Sequence, residues 1–190
     1  MVDKGKFVLI LGPSGSGKGT VLRFLKEKHP EFVFPISCTT RDMRPGEVDG
    51  EVYHFVSQDE FRERIENGEF LEYAYVHDMN YYGTLKKPIM DALDDGKVVV
   101  REVDVQGVRS IREIFPEDQV LTIFLRANWE NLEKRIRGRA PISDEELKER
   151  HESFQNEMRW QDECDFVIDS IEGEITQQCE VVEQVILDNL

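Results

Sequence analysis

One stretch, residues 12–20, constrains the fold of this chain more than any other. Its sequence is Gly-Pro-Ser-Gly-Ser-Gly-Lys-Gly-Thr, and it lies between the apolar run 7–11 and a helical pattern that Pro30 ends. A strand, a glycine-rich turn, a lysine and a helix are the sequence context of a phosphate-binding loop. Glycines let backbone N–H groups turn toward an anion, and the helix start adds unpaired donors and a favourable dipole. The stretch therefore predicts a phosphate site, where Lys18 supplies charge to the outer phosphates.

One position departs from the usual form of this motif. Ser or Thr normally follows the lysine, because its hydroxyl reaches Mg²⁺. Gly19 stands there and Thr20 comes next, an arrangement similar to the Gly-Lys-Gly-Thr of adenylate kinases. We therefore expect Thr20 to provide the hydroxyl on the metal side. The alternative is a glycine-rich turn that binds nothing, and the lysine, the spacing and the context all oppose it.

Charge and cysteine content limit the possible partners. The 24 basic and 39 acidic residues give a formal net charge of −15, which opposes general binding to nucleic acid or anionic membranes. An anion site must therefore depend on a local group of Arg and Lys side chains. The three cysteines are widely spaced and predict neither a disulfide framework nor a zinc site. Because no apolar run has the length of a signal region or a membrane span, we expect a cytoplasmic protein.

Strands alternate with helices over most of the chain, which predicts a parallel sheet covered by helices on both faces. The best candidate for a central strand is 97–104, and 119–125 is a second buried strand. Capping boxes at Ser57 and Ser143 predict two helix starts. Short strands without long helices predict a small antiparallel insertion in the region 37–82. Further predictions are strands at 32–36, 52–56, 70–76 and 166–168, a loop at 78–84, and a last helix at 175–187.

Two groups of arginines are candidates for anion binding. Arg41 and Arg44 lie three residues apart in a polar loop, which favours a bidentate clamp on a phosphate. Simple pairing with acidic neighbours such as Glu47 is the alternative. Arg135 and Arg139 share one helix face without an opposite charge at helical spacing, so an anion between them would relieve their repulsion.

Three carboxylates lie on or next to predicted strands. Alternation along the strand 70–76 places Glu72 on the same face as Phe70. A carboxylate in apolar surroundings needs a donor, and either guanine, through N1–H and its amine, or a buried Arg or Lys would provide one. Glu102 and Asp104 end the predicted central strand, where α/β sheets open a ligand crevice. They would hold Mg²⁺ through water, contact a base edge, or remain solvated.

The order of these motifs resembles that of guanylate kinases over nearly the whole chain. The resemblance is carried by residues 12–18, 37–47, 50–55, 68–72, 80–84 and 102–107, and by the arginines at 135, 139 and 150. It implies a P-loop α/β three-layer sandwich with a central parallel sheet. The core would comprise 1–36, 85–127 and 160–190, with a mixed or antiparallel GMP-binding insertion at 37–84 and a helical lid at 128–159.

The resemblance also implies a reaction and a role for each matching residue. The reaction would be transfer of the γ-phosphoryl group of MgATP to GMP, and to dGMP, giving ADP and GDP. ATP would contact Gly12, Pro13, Ser14, Gly15, Ser16, Gly17, Lys18, Gly19, Thr20 and Asp169. Guanine would be bound by Ser37, Glu72, Thr84 and Asp104, and the GMP phosphate by Arg41, Arg44, Tyr53 and Tyr82. Catalysis would depend on Lys18, Arg135, Arg139 and Arg150, and Mg²⁺ would lie near Thr20 and Glu102.

Two further positions depart from the family pattern. Glu102 stands where Asp is frequent, which leaves the metal geometry open. Asp169 stands where many relatives have Asn near the adenine, and a carboxylate cannot donate the hydrogen bonds of an amide. The preference for ATP over another phosphoryl donor is therefore open.

Three other functions are alternatives to the one that this resemblance implies. A non-catalytic guanylate-kinase-like interaction module would lack the loop lysine or the lid arginines, and this chain has both. A kinase of another phosphate ester, such as a ribose bisphosphate, would lack the guanine-binding set. Another nucleoside monophosphate kinase would fit the Gly-Lys-Gly-Thr sequence, but the segments around Arg41 and Glu72 oppose it.

Overall fold

Strands and helices alternate along the chain in the computed structural model. The structure describes residues 4–51, 53–76, 79–139, 142–170 and 173–190. Within these ranges, the side chains of residues 105, 106, 135 and 139 are not described. The strands are β1 (Phe7–Leu11), β2 (Cys38–Thr39), β3 (His54–Phe55), β4 (Phe70–Val76), β5 (Asn80–Leu85), β6 (Val99–Glu102), β7 (Val120–Arg126) and β8 (Phe166–Asp169). The α-helices are α1 (Lys18–Lys28), α2 (Gln58–Glu66), α3 (Lys86–Asp94), α4 (Val105–Ile114), α5 (Trp129–Arg139), α6 (Asp144–Met158) and α7 (Ile175–Leu187). Short 3-10 helices span Glu117–Gln119 and Arg159–Glu163.

The central sheet is parallel and has the strand order β6-β1-β7-β8. Side chains of β1 alternate between its two faces. Phe7 and Leu9 join a core that includes residues of α3 and α4, whereas Val8 and Ile10 join a core that includes residues of α1 and α7. The predicted three-layer α/β sandwich is therefore confirmed, with the continuous apolar run of β1 explained by burial on both faces.

A second, mixed sheet has the order β3-β2-β5-β4. Strand β2 is parallel to β3 and antiparallel to β5, which pairs antiparallel with β4. Its small core lies under α2, where the Phe61 ring stacks on Phe70 at 4.2 Å and on Tyr81 at 5.1 Å between ring centroids. The expected insertion with a mixed sheet is thus present.

Three element predictions were wrong in detail. The predicted loop 78–84 is mostly strand β5, because tertiary pairing with β4 overrides the turn-forming Asn and Gly. The predicted strand 32–36 is reduced to one bridge between Val33 and Val99, since Pro35 has no N–H to continue the pairing. Strand β6, expected at the centre, is the terminal strand in the order of the four-stranded sheet, with the Val33 bridge on its outer side.

The pairing of β4 with β5 contains an irregularity that strict alternation does not anticipate. The register shifts between Phe70 and Glu72, as a β-bulge would cause. Phe70 is buried in the core of the mixed sheet and Leu71 in the core of the central sheet. The prediction that Phe70 and Glu72 share one face therefore fails, and β4 connects the two cores immediately before Glu72.

Both predicted helix starts are confirmed, and the serine half of each capping box is formed. The Ser57 and Ser143 hydroxyls accept hydrogen bonds from the N–H groups of Glu60 and Glu146, each at 3.1 Å. Such caps satisfy one of the free N–H groups at a helix N-terminus. Within the described residues, no helix is both long enough and apolar enough to cross a membrane.

Candidate active site

A cleft of about 1230 Å³ opens at the carboxyl ends of β1 and β6. Parallel α/β sheets bind ligands at this edge. The lining comes from the phosphate-binding loop, the end of β6, Glu72 of β4, helix α6 and Trp160. The volume exceeds the roughly 300–1,000 Å³ of a usual small-molecule site, so two substrates have room to meet there.

The loop between β1 and α1 needs glycine at two particular positions. Gly12 has a φ of +138°, and a Cβ added there would lie 2.5 Å from the Leu125 carbonyl oxygen. Gly17 has a φ of +99° and forms the N-cap of α1. A larger side chain would strain the backbone at either position. The glycines thus hold the turn that presents the first N–H groups of α1 at the cleft.

Lys18 is enclosed by the loop that it follows. Its Nζ donates to the carbonyl oxygens of Gly12 at 2.7 Å and Pro13 at 3.2 Å. Glu102 Oε1 at the end of β6 lies 3.6 Å from the same nitrogen, and the lysine side chain is only 12% exposed. The ammonium group therefore lies between the loop and the carboxylate predicted to be near a metal.

The residues predicted for Mg²⁺ have the right donor chemistry. Thr20 and Glu102 both line the cleft, and Mg²⁺ is usually bound by one or two carboxylates together with water and substrate phosphates. Among the described residues, no group of three or more His, Cys, Asp or Glu side chains could hold a metal by itself. A Cβ at Gly19 would have no atom within 4 Å, so packing does not require glycine there.

Three of the predicted guanine-binding residues are connected by hydrogen bonds. Thr84 Oγ1 donates to Glu72 Oε1 at 2.7 Å, and Ser37 Oγ lies 3.4 Å from Thr84 Oγ1. Arg101 Nη2 donates to the same Glu72 oxygen at 2.6 Å. A buried arginine is thus a partner of Glu72, which was one of the two donors that the sequence allowed, the other being guanine. The sequence signal that was missed is Arg101 itself, a charge directly after the apolar run 98–100.

Asp104 has a structural role in addition to the predicted one. Its Oδ1 accepts a hydrogen bond from the Gly107 N–H at 2.8 Å and so caps the N-terminus of α4. The residue also lines the cleft. Its contact with guanine remains a prediction.

The predicted phosphate-binding residues cluster around Arg41. The guanidinium lies 5.6 Å from the centroid of the Tyr53 ring, and the Tyr53 and Tyr82 centroids are 5.7 Å apart. Glu47 accepts from Arg41 Nη2 at 2.9 Å and from the Arg44 N–H at 2.8 Å. The hydrogen bond from Arg41 holds the pKa of the Glu47 carboxyl below its ordinary value.

Helices α5 and α6, predicted to form a lid, pack through aromatic rings. Trp129 contacts His151 at 4.4 Å and Phe154 at 5.4 Å between ring centroids. Arg150 donates to Glu146 of its own helix at 3.1 Å, the local pair that the sequence allows. The side chains of two predicted lid arginines lie outside the described residues, namely those of Arg135 and Arg139.

Comparison with known proteins identifies the family. A family model described as guanylate kinase matches residues 4–189. The chain belongs to the guanylate kinase family. It is 45% identical over 167 residues to the guanylate kinase of Trichormus variabilis, which covers 87% of this chain and 82% of that protein. The guanylate kinase of Rhodococcus jostii is 41% identical over 180 residues, 94% of this chain and 86% of that protein.

The solved structures agree with this assignment. The crystal structure of guanylate kinase from Anaplasma phagocytophilum superposes with a TM-score of 0.70 and 25% identity, covering 98% of this chain and 86% of that one. The crystal structure of TT1252 from Thermus thermophilus shares the fold, with a TM-score of 0.54 and 17% identity. The P-loop α/β architecture of the guanylate kinase family is therefore the architecture of this chain.

Two arginines near the cleft were not predicted from the guanylate kinase motifs. Arg126, at the end of β7, donates to both carboxylate oxygens of Asp169 at 2.6 and 2.8 Å. This pairing lowers the pKa of Asp169 below its ordinary value. Arg109 lines the cleft, with its guanidinium 4.3 Å from the centroid of a Trp160 ring. No motif marks either residue, because both contacts join segments far apart in the chain.

Proposed function

We propose that this chain transfers the γ-phosphoryl group of ATP to GMP, giving ADP and GDP, with Mg²⁺ as the accompanying cation and with dGMP as an alternative acceptor. One observation carries the proposal. A single cleft is lined both by the phosphate-binding loop with Lys18 and by Glu72 and Asp104. Membership of the guanylate kinase family supports the same reaction.

The ATP phosphates would lie against the N–H groups of the loop and the first turn of α1. Lys18 Nζ would then donate to the phosphate oxygens in place of one of the Gly12 and Pro13 carbonyl oxygens. Thr20 and Glu102 would hold Mg²⁺. When bound, this cation offsets the negative charge of the transferring phosphoryl group.

GMP would bind at the mixed sheet. The Glu72 carboxylate would accept from N1–H and the exocyclic amine of guanine, the two donors that distinguish it from adenine. Arg41 and Arg44, with the hydroxyls of Tyr53 and Tyr82, would bind the phosphate. Arg41 would exchange its Glu47 partner for the phosphate group.

The chain needs no protein nucleophile for this reaction. A GMP phosphate oxygen attacks the γ-phosphorus, and the bond from that phosphorus to the ADP oxygen breaks. Because the transition state is loose, catalysis consists mainly of positioning and charge stabilisation. Arg135, Arg139 and Arg150 would approach the transferring group when the lid closes, and closure would exclude water. To do so, Arg150 would break its exposed ion pair with Glu146 of the same helix. Such a pair is worth about 0–1 kcal/mol.

The proposed location is the cytoplasm, where thiols stay reduced. Cys38, Cys164 and Cys179 are free. Burial raises the pKa of each thiol, and that of Cys164 rises to about 11. The protonated thiols react slowly, which is consistent with cysteines that serve packing.

A coupled assay of ADP release with MgATP tests the function. We expect turnover with GMP and dGMP, and little with AMP, UMP or CMP. Lys18→Met should lose nearly all kcat while circular dichroism shows a retained fold. Lys87→Met is the matched control, because Lys87 is an exposed α3 lysine that pairs with Asp91. ADP release with AMP or UMP but none with GMP would refute the proposal.

A further inference from the structure

Arg101 is a largely buried arginine of β6, between apolar Val100 and acidic Glu102. It follows buried Val99 and Val100 in β6 and pairs in register with Leu9 of β1. Its side chain is only 15% exposed. Burying a guanidinium is costly unless its donors find partners, so the partners of Arg101 indicate what the residue is for.

Only part of the donor capacity of Arg101 is used within the described chain. Nη2 donates to Glu72 Oε1 at 2.6 Å. Nε and Nη1 are buried and have no hydrogen-bond partner among the described residues. Burial lowers the pKa of Arg101, and the carboxylates of Glu72, Asp104 and Glu102 oppose that effect. The group remains a cation at neutral pH, because the ordinary pKa of arginine is very high, with donors left for a ligand.

The position of Arg101 connects two parts of the site. It lines the main cleft together with Glu72, and it lines an adjoining cavity of about 620 Å³ together with Ser37 and Tyr53. The hydrogen-bonded series from Ser37 through Thr84 to Glu72 ends on Arg101. The unused donors are therefore located among the residues proposed to bind the acceptor nucleotide.

We infer that Arg101 determines specificity for a 6-oxopurine acceptor, by fixing Glu72 and by donating to the base carbonyl. Thr84 and Arg101 together occupy both lone pairs of Glu72 Oε1, which leaves Oε2 to accept from N1–H of the base. Nε or Nη1 would donate to O6, the acceptor adjacent to N1–H in guanine and hypoxanthine.

The same arrangement excludes adenine. Adenine has no hydrogen on N1, so it cannot donate to Glu72 from that position. Its C6 amine is a donor and would face the N–H donors of Arg101, which would leave these groups unpaired. Unpaired buried donors discriminate strongly between ligands. This inference rests on the proposed function, because it names how the acceptor site of that reaction selects its base.

Kinetics of Arg101→Met and Arg101→Lys test the inference, with Arg112→Met as the matched control. Arg112 contacts the Thr122 hydroxyl and the Glu163 carbonyl and is not among the residues that line the cleft. KM and kcat are measured for GMP, IMP and ATP, and GMP binding is measured by calorimetry without ATP. Arg101→Met should raise KM for both GMP and IMP by about 10-fold or more. Its kcat and its KM for ATP should stay near wild type.

Arg101→Lys keeps a charge beside Glu72 and should lie between wild type and Arg101→Met, so it also serves if Arg101→Met does not fold. GMP affinity equal to wild type in either variant overturns the inference. An equal loss in every parameter, accompanied by a lower Tm, also overturns it in favour of a structural role. If the wild-type protein does not phosphorylate GMP, the proposed function fails first and the inference fails with it.

Discussion

Arg41 Nη2 donates to Glu47 Oε1 at 2.9 Å, so the arginine proposed to bind the GMP phosphate is already paired with a carboxylate. Glu47 also accepts from the Arg44 N–H at 2.8 Å. The carboxylate therefore organises the loop and competes with phosphate for the same guanidinium. A phosphate dianion offers more charge and three acceptor oxygens, which favours the exchange when GMP binds.

Replacing Arg41 should weaken GMP binding without affecting ATP. Arg41→Met removes a charge-assisted contact worth about 1.5–3 kcal/mol, so we expect KM for GMP to rise roughly 10- to 150-fold. Steady-state kinetics with each substrate varied in turn measures this. The control is Arg62→Met in the same insertion, whose side chain is 55% exposed against 14% for Arg41. An Arg41→Met enzyme with wild-type KM for GMP would show that Arg41 serves only to pair with Glu47.

We expect Thr20 to provide the metal-side hydroxyl, although the motif usually has Ser or Thr at the position of Gly19. Substitutions at the two positions test this assignment. Thr20→Ala should lower kcat/KM for MgATP by about 10-fold or more, if a lost metal contact costs what a lost hydrogen bond to a charged group costs. Gly19→Ser should leave the activity near wild type, because a Cβ at this position meets nothing within 4 Å. Titration with Mg²⁺ at fixed ATP provides the second measurement. Full activity of Thr20→Ala at low Mg²⁺ would exclude Thr20 as the metal-side residue.

Local signals explain what the sequence predicted well. The phosphate-binding loop depends on glycines and a helix start that are adjacent in the chain. The bounds of strand β4 follow from its consecutive β-forming residues, but the register shift between Phe70 and Glu72 does not. The loop prediction at 78–84 was wrong because Asn80 and Gly83 are typical turn residues, although the partner strand β4 lies directly before β5 in the chain. The place of β6 in the strand order could not be predicted, because it depends on pairing between distant segments. The contact between Arg101 and Glu72 joins residues 29 positions apart, and each alone only indicates that a partner is needed.

Asp169→Asn should improve the use of ATP. Both Asp169 oxygens accept from Arg126, whereas an amide would accept from the adenine amine and also donate to a ring nitrogen. We expect KM for ATP to fall by roughly 2- to 10-fold, which is the effect of about one additional hydrogen bond. The KM for GMP should not change. Tm should move little, because the pair is exposed and worth about 0–1 kcal/mol. The control is Asp91→Asn on α3, and an unchanged KM for ATP in Asp169→Asn would remove this residue from the ATP site.

His29 should make the stability of the fold dependent on pH. Its Nε2 lies 2.6 Å from Glu183 of α7 and its Nδ1 lies 2.9 Å from Glu31, so both nitrogens donate when the ring is protonated. Burial lowers the pKa of His29, but the hydrogen bonds to these two carboxylates together raise it above 6.5. A raised pKa in the folded state stabilises the protein below the unfolded pKa, and this stability is lost as pH rises through the folded pKa.

Thermal unfolding of wild type and His29→Gln at about pH 6 and about pH 8.5 measures this effect, since these values bracket histidine titration. The wild type should lose more Tm between the two pH values than His29→Gln does. His151→Gln is the control, because it replaces a histidine that does not contact Glu183 or Glu31. Equal pH dependence in wild type and His29→Gln would contradict the prediction.

Gly83 of β5 should not tolerate a larger residue, because three aromatic side chains pack against it. An added Cβ would lie 2.9 Å from Phe61 and Phe70 ring atoms and 3.0 Å from Tyr73 Cβ. Gly83→Ala must therefore displace stacked rings, at a cost typical of overpacking, about 1–3 kcal/mol, or roughly 2–12 °C in Tm. Gly138→Ala in α5 meets no atom within 4 Å and should be neutral or stabilising, since Ala is the better helix former. If Gly83→Ala unfolds at the wild-type temperature in calorimetry, the rings can separate without cost, and the mixed sheet packs less tightly than its ring distances indicate.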